Sequence, residues 1–121
     1  MSESLMNQEL KTKWVNALRS GEYKQTTGCL ERKRGGKPIG NCCLGVLCHI
    51  AGIDYIKDEY DRTFFACGIV TIQEPYLNKL GLSKVERDCL INMNDGEEEL
   101  KIPRHTFSEI ADYIEEHIEA A

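Results

Sequence analysis

The sequence has no apolar run long enough to cross a membrane. Its most apolar stretch, Cys42 to Ala51, is about half of the ~20 residues a spanning helix needs. The amino terminus lacks the basic-then-apolar order of a secretion signal, so a cytosolic protein is expected. Internal repeats and low-complexity linkers are also missing, and 121 residues leave no room for a second full domain. With 41% hydrophobic and 29% charged residues, the chain reads as one soluble globular domain spanning residues 1–121, its polar residues 1–7 frayed. At this length folding buries roughly two-thirds of the unfolded surface, so a core can form without disulfides or metal as obligatory staples.

Catalytic and metal motifs are equally scarce. The sequence contains no G-x-x-x-x-G-K-[ST], G-x-G-x-x-G, H-E-x-x-H or G-x-S-x-G. Six cysteines (29, 42, 43, 48, 67 and 89) form no C-x-x-C pair, and the adjacent Cys42 and Cys43 point apart in helix or strand. They are expected to be reduced, buried small hydrophobes with no metal bound. Cys42 and Cys43 open an expected helix, where the dipole could lower a thiol pKa and make a nucleophile with His49 or His105. Neither cysteine lies in a nucleophile motif, however, and packing is the expected role, with His49 a satisfied core histidine. Carboxylates pair only as the runs Glu97-Glu98-Glu99 and Glu115-Glu116, which read as solvated faces. The expectation is a protein without catalysis and without a cofactor.

What the chain does have is uneven charge. The net charge is −5, yet from Lys11 to Lys37 eight basic residues face two acidic ones, and from Lys84 onward four basic residues face eleven acidic ones. Such asymmetry suits an anion site near the amino-terminal third or a match between subunits. Duplex DNA is not an expected partner, because the acidic segment opposes the phosphate contacts such binding needs.

The pattern predicts an α+β fold in which amphipathic helices pack with short antiparallel hairpins. Leu10, Trp14, Val15 and Leu18 place a helix over Gln8 to Arg19, stopped by Ser20-Gly21. Gln25 to Ile39 reads as a hairpin whose tip is the basic segment Arg32 to Pro38. Cys43 to Ile50 reads as a helix capped by Asn41 and stopped at Gly52. One or two strands are expected within Arg62 to Ile72, then helices over Gln73 to Leu80 and Ser83 to Met93, the second opened by a Ser83/Glu86 capping box. Asn94-Asp95-Gly96 signals a turn. A Thr106/Glu109 capping box then opens a last helix striped by Phe107, Ile110, Ala111, Ile114 and Ile118.

The residues that remain suit a nucleotide-like anion: Tyr23, Lys24 and Gln25 after the first helix, Arg32 on the basic hairpin, Asn92, Asn94 and Asp95, and Arg104, Thr106 and Phe107 with His105 at a helix start. Arginine and a helix N-terminus hold phosphates, aromatic rings stack bases, and Asn or Asp bond base edges and ribose hydroxyls.

Four strings span most of the chain: Trp14-Val15-x-Ala17-Leu18-Arg19-Ser20-Gly21-x-Tyr23-x-Gln25, Cys42-Cys43-Leu44-Gly45-Val46-Leu47-Cys48, Asn92-Met93-Asn94-Asp95 and Thr106-Phe107-Ser108-Glu109-Ile110-Ala111-x-Tyr113-Ile114. In them the chain resembles the first family of phage Thoeris anti-defence proteins. The resemblance implies a non-enzymatic sponge in the host bacterial cytosol. Such a sponge captures a cyclic ADP-ribose isomer, such as the glycocyclic form, that a bacterial TIR-domain enzyme makes; relatives also hold cyclic oligonucleotides. It implies pockets at subunit contacts in a homo-oligomer, a dimer or a higher assembly up to a hexamer. The competing expectation is a small acidic phage protein that inhibits a host protein by direct contact through its carboxy-terminal face.

Overall fold

A computed structural model describes residues 5–121 and is α+β: among these residues five helices surround one core, and two small antiparallel hairpins lie on it. Helix α1 (Gln8–Arg19) buries Trp14, Val15, Ala17 and Leu18, the positions that helical spacing puts on one face. It is pinned to α5 (Phe107–His117), whose apolar stripe Phe107, Ile110, Ala111 and Ile114 is buried against it along with Ile118. Lys11 Nζ closes the pair by donating to the carbonyl of Ile118 (2.5 Å), one of the acceptors a helix end leaves unpaired. Burying each large apolar side chain contributes about 1.5–3 kcal/mol, so this stripe alone is a large part of a domain's net stability.

Residues 5–7 are ordered, contrary to the expectation of a frayed start. Met6 is fully buried and pairs with Ala120, Gln8 N donates to Ala121 O, and Asn7 caps α1. An apolar side chain with a core pocket to fill outweighs the polar neighbours that suggested fraying. Residues 1–4 lie outside the described residues.

The central helix α2 (Cys43–Ile50) is buried on nearly every side and is the hub of the core. Its cap is Cys42 rather than the expected Asn41: the Cys42 sulfur accepts from Gly45 N at 3.4 Å, while Asn41 turns to Leu30 O and Glu31. Gly45 is required here, because a Cβ at this position would lie 1.9 Å from Leu30 O. Leu30 O in turn accepts from Cys42 N, so the chain entering the first hairpin lies directly on the start of α2.

That hairpin is β1 (Glu31–Arg34) with β2 (Lys37–Asn41), joined by Gly35-Gly36, both at positive φ as a two-residue turn requires. Of the basic residues expected at the tip, Arg32, Lys33 and Arg34 therefore lie in the first strand itself and Lys37 opens the second. Of the expected strand over Gln25 to Glu31, the structure keeps Glu31, which opens β1, and a single bridge between Gln25 and Asn41. A second hairpin pairs β3 (Tyr55–Lys57) with β4 (Thr63–Phe65); β4 falls inside the expected strand region, and β3 had no counterpart in the sequence reading. Helices α3 (Glu74–Leu80) and α4 (Lys84–Asp95) complete the fold, and both capping boxes, Ser83/Glu86 and Thr106/Glu109, form. The turn expected at Asn94-Asp95-Gly96 is displaced: α4 runs through Asp95 and stops at Gly96.

Candidate functional site

The loop between α1 and β1, the end of α4 and the start of α5 meet at Asn94, which is fully buried and uses its whole amide. Its Oδ1 accepts from Cys43 N (3.2 Å) and Gln25 Nε2 (3.0 Å), and its Nδ2 donates to Thr26 O and Asp95 Oδ1 (2.8 Å each). Gln25 Nε2 also donates to His105 O at 2.8 Å. Asp95 Oδ2 accepts from Gly28 N, and Arg32 reaches back to Thr26 Oγ1 and Thr27 O, both at 3.0 Å. One polar side chain on α4 thus satisfies an orphan N–H at the start of α2 and fixes the course of residues 25–28. The His105 Nδ1 at the same junction is buried without a hydrogen-bond partner among the described residues.

Of the ten site residues the sequence suggested, this junction brings together Gln25, Arg32, Asn94 and Asp95. Lys24 and Arg104 flank it as sequence neighbours of the bonded Gln25 and His105; both are exposed, and neither has an ion-pair partner among the described residues. Thr106 spends its hydroxyl on the α5 cap. Asn92 sits half-buried one turn before the end of α4. Phe107 is a core residue, so its ring offers no open face for stacking. Tyr23 lies elsewhere, its ring 5.7 Å from that of His49.

Beside Asn94 lies a recess of about 30 Å³ lined by Cys29, Cys42, Cys43, Val70, Ile91 and Asp95 among others. That volume suits a water molecule, whereas a nucleotide needs at least about 300 Å³. Two of the thiols that line it, Cys42 and Cys43, are poor nucleophiles. Burial pushes Cys42 up to about 12 and Cys43 well above the ordinary thiol value, so both stay protonated at neutral pH. His49 and His105 make no hydrogen bond to either thiol. The cysteines are not uniformly buried as expected: four are, while Cys29 is half-buried and Cys89 exposed.

Sequence reasoning missed a second polar cluster. Glu31, on β1 with a side chain only 4% exposed, accepts from Tyr55 OH (2.9 Å), His49 Nε2 (2.6 Å) and Asn41 Nδ2 (3.2 Å), and Lys33 Nζ stands 3.6 Å away. Lys33 also covers the Tyr55 ring at 4.3 Å and donates to Thr63 Oγ1. Burial raises the Glu31 carboxyl, but the bonds from Tyr55, His49 and Asn41 outweigh it and hold the pKa below the ordinary carboxylate value. The same burial, and the bond to Glu31, push Tyr55 up. Phe65 closes the cluster, stacked on Tyr55 and edge-on to His49. Every acceptor of Glu31 is in use, so the arrangement fastens the second hairpin to the first and to α2. The only sequence signal was the shared face of Glu31 and Lys33, two apart on a strand.

A family model described as Domain of unknown function (DUF8296) matches residues 6–74, more than half of the chain, from α1 to the first residue of α3. The match contains the Glu31 cluster, Tyr23, Lys24, Gln25 and Arg32, and stops short of Asn94 and Arg104. No curated protein and no solved structure matches the chain.

Proposed function

The chain belongs to the DUF8296 family, a family of unknown function, and we propose its function from the Asn94 junction. We infer that the protein binds and sequesters a nucleotide-derived signal without chemical change, a phage sponge for a cyclic ADP-ribose isomer such as glycocyclic ADP-ribose. The observation that carries this reading is the bond from Gln25 to His105 O, which joins the chain positions next to Lys24 and Arg104, two exposed cations with no ion-pair partner among the described residues. A diphosphate carries two negative charges, and charge-assisted bonds from such a pair are the strong kind. The His105 Nδ1, which has no hydrogen-bond partner among the described residues, adds a further polar group there.

The recess of about 30 Å³ holds no nucleotide, so the ligand sits where a second copy of the chain closes over the junction, as the resemblance to the anti-defence sponges implies. The residues then bind rather than react: protonated, buried Cys42 and Cys43 support packing. The proposed setting is the bacterial host cytosol.

Mass spectrometry of small molecules released by heating the purified protein, followed by titration with glycocyclic ADP-ribose, tests the reading. Intact ligand recovered in proportion to subunits is expected; a ligand returned hydrolysed, or none bound, overturns it. A second reading rests on Glu98 and Glu99, exposed carboxylates without ion-pair partners among the described residues, which would dock on a basic cleft of a host protein. A stoichiometric protein captured from host lysate, with no nucleotide released, favours that alternative.

A further inference from the structure

Two thiols in the core face each other. Cys48, on α2, and Cys67, two residues past β4, are both fully buried, and their sulfurs lie 3.3 Å apart, in contact but not bonded. The other buried cysteines make different contacts: Cys42 Sγ caps Gly45 N and Cys43 Sγ points to Leu90 O. Only about 1 Å of further approach separates the pair from a disulfide bond. Cys67 sits in the irregular segment between β4 and α3, where Ile69 and Val70 stand 57% and 65% exposed, so a small opening of this segment reaches the sulfur from solvent.

We propose that Cys48 and Cys67 are a modification site at which a peroxide forms a reversible intramolecular disulfide. The Cys67 thiolate attacks one peroxide oxygen and the O–O bond breaks, giving a sulfenic acid and hydroxide. The Cys48 sulfur then attacks the Cys67 sulfur, the S–O bond breaks, and the departing hydroxide takes the Cys48 proton as water. Two thiols are oxidised by two electrons and the peroxide is reduced to water. The contact between the sulfurs accommodates this order: with Cys48 as the S–H donor, the hydrogen bond stabilises a thiolate on Cys67, the cysteine in the segment beside the exposed Ile69 and Val70. The disulfide ties α2 to the segment after β4, the same two pieces of chain that the ring contact of His49, next to Cys48, with Phe65, two residues before Cys67, already joins. It therefore clamps the second hairpin on the core.

The test uses the full chain carrying Cys29→Ser and Cys89→Ser, which removes the two accessible thiols outside the pair. Hydrogen peroxide is added, remaining thiols are alkylated in denaturant, and peptides are mapped. The expected result is a peptide joining Cys48 to Cys67, with Cys42 and Cys43 alkylated. Dithiothreitol reverses the link, and the oxidised form melts on the order of 10 °C higher because the closed ring restricts the unfolded chain. With Cys48→Ser added, Cys67 is trapped by dimedone as the sulfenic acid. Alkylation of both Cys48 and Cys67 after peroxide treatment, or a link from either to Cys42 or Cys43, overturns the proposal, and the mapping needs no variant of the pair.

Discussion

Asn94→Ala is the sharpest test of the junction. The substitution removes an amide that makes four hydrogen bonds from a fully buried position. Cys43 N and Thr26 O lose their side-chain partner, and each buried orphan costs about 1–3 kcal/mol, partly offset where Thr26 reaches water. Gln25 keeps its bond to His105 O and loses less. The expected cost is about 2–4 kcal/mol, and at about 3–5 °C per kcal/mol for a domain of this size the melting midpoint falls by about 6–20 °C. Urea unfolding should show a lower midpoint with an unchanged slope. Asn94→Asp supplies the control: it keeps the acceptor but puts a second carboxylate against Asp95 in a buried site. Burial and the like charge raise the folded pKa of the new carboxyl above its unfolded value of about 3.9. The part of its penalty that comes from ionisation is therefore absent below pH ~4 and grows as pH rises toward the folded pKa, while the loss of one of the two Nδ2 donations remains at every pH. Measured against wild type at each pH, Asn94→Asp recovers in part on acidification and Asn94→Ala does not. A cost for Asn94→Ala below ~1 kcal/mol, or parallel pH curves for the two variants, would refute the reasoning.

Gly45→Ala should destabilise by about 3 kcal/mol or more in denaturant titration, because its Cβ would meet backbone at Leu30 O, which cannot rotate away. Glu31→Gln should lower stability at neutral pH; since the folded pKa of Glu31 lies below its unfolded value of about 4.3, the wild-type advantage is fully present above that value and disappears as pH falls through the depressed one, which paired melts at stepped pH would show. Arg104→Ala should weaken glycocyclic ADP-ribose binding roughly ten- to a hundredfold by calorimetry with little change in melting, as Arg104 is exposed and makes no ion pair among the described residues; unchanged affinity removes it from the site.

The helices were legible in the sequence because their causes are local. The apolar spacing of Leu10, Trp14 and Leu18 and the stop at Ser20 bound α1 at the residues the structure shows, and the boxes at Ser83/Glu86 and Thr106/Glu109 act within one turn. The stripe from Phe107 to Ile118 likewise declared which face of α5 is buried. Strands were read less well because a strand's partner is distant: nothing near Tyr55 announces its pairing with Phe65, and the basic run Arg32 to Arg34 looks like a turn until β2 is laid beside it. Glycine at 45 could be read only as a residue in a helix; that it admits the Leu30 carbonyl is a fact of packing.

The candidate site divides in the same way. Gln25, Arg32, Asn94, Asp95 and Arg104 could be chosen from residue type and local charge, but not that Asn94 is buried as a brace, nor that Phe107 belongs to the core. Residue chemistry is written in the sequence, whereas whether an amide faces a ligand or a backbone N–H depends on which elements meet. The Glu31 cluster draws on β1, β2, α2 and β3, and the Cys48 to Cys67 contact joins α2 to the segment after β4. No window of sequence contains either arrangement: both exist only because burial of one apolar core brings distant polar and thiol groups into contact, where each must be satisfied by whatever lies opposite.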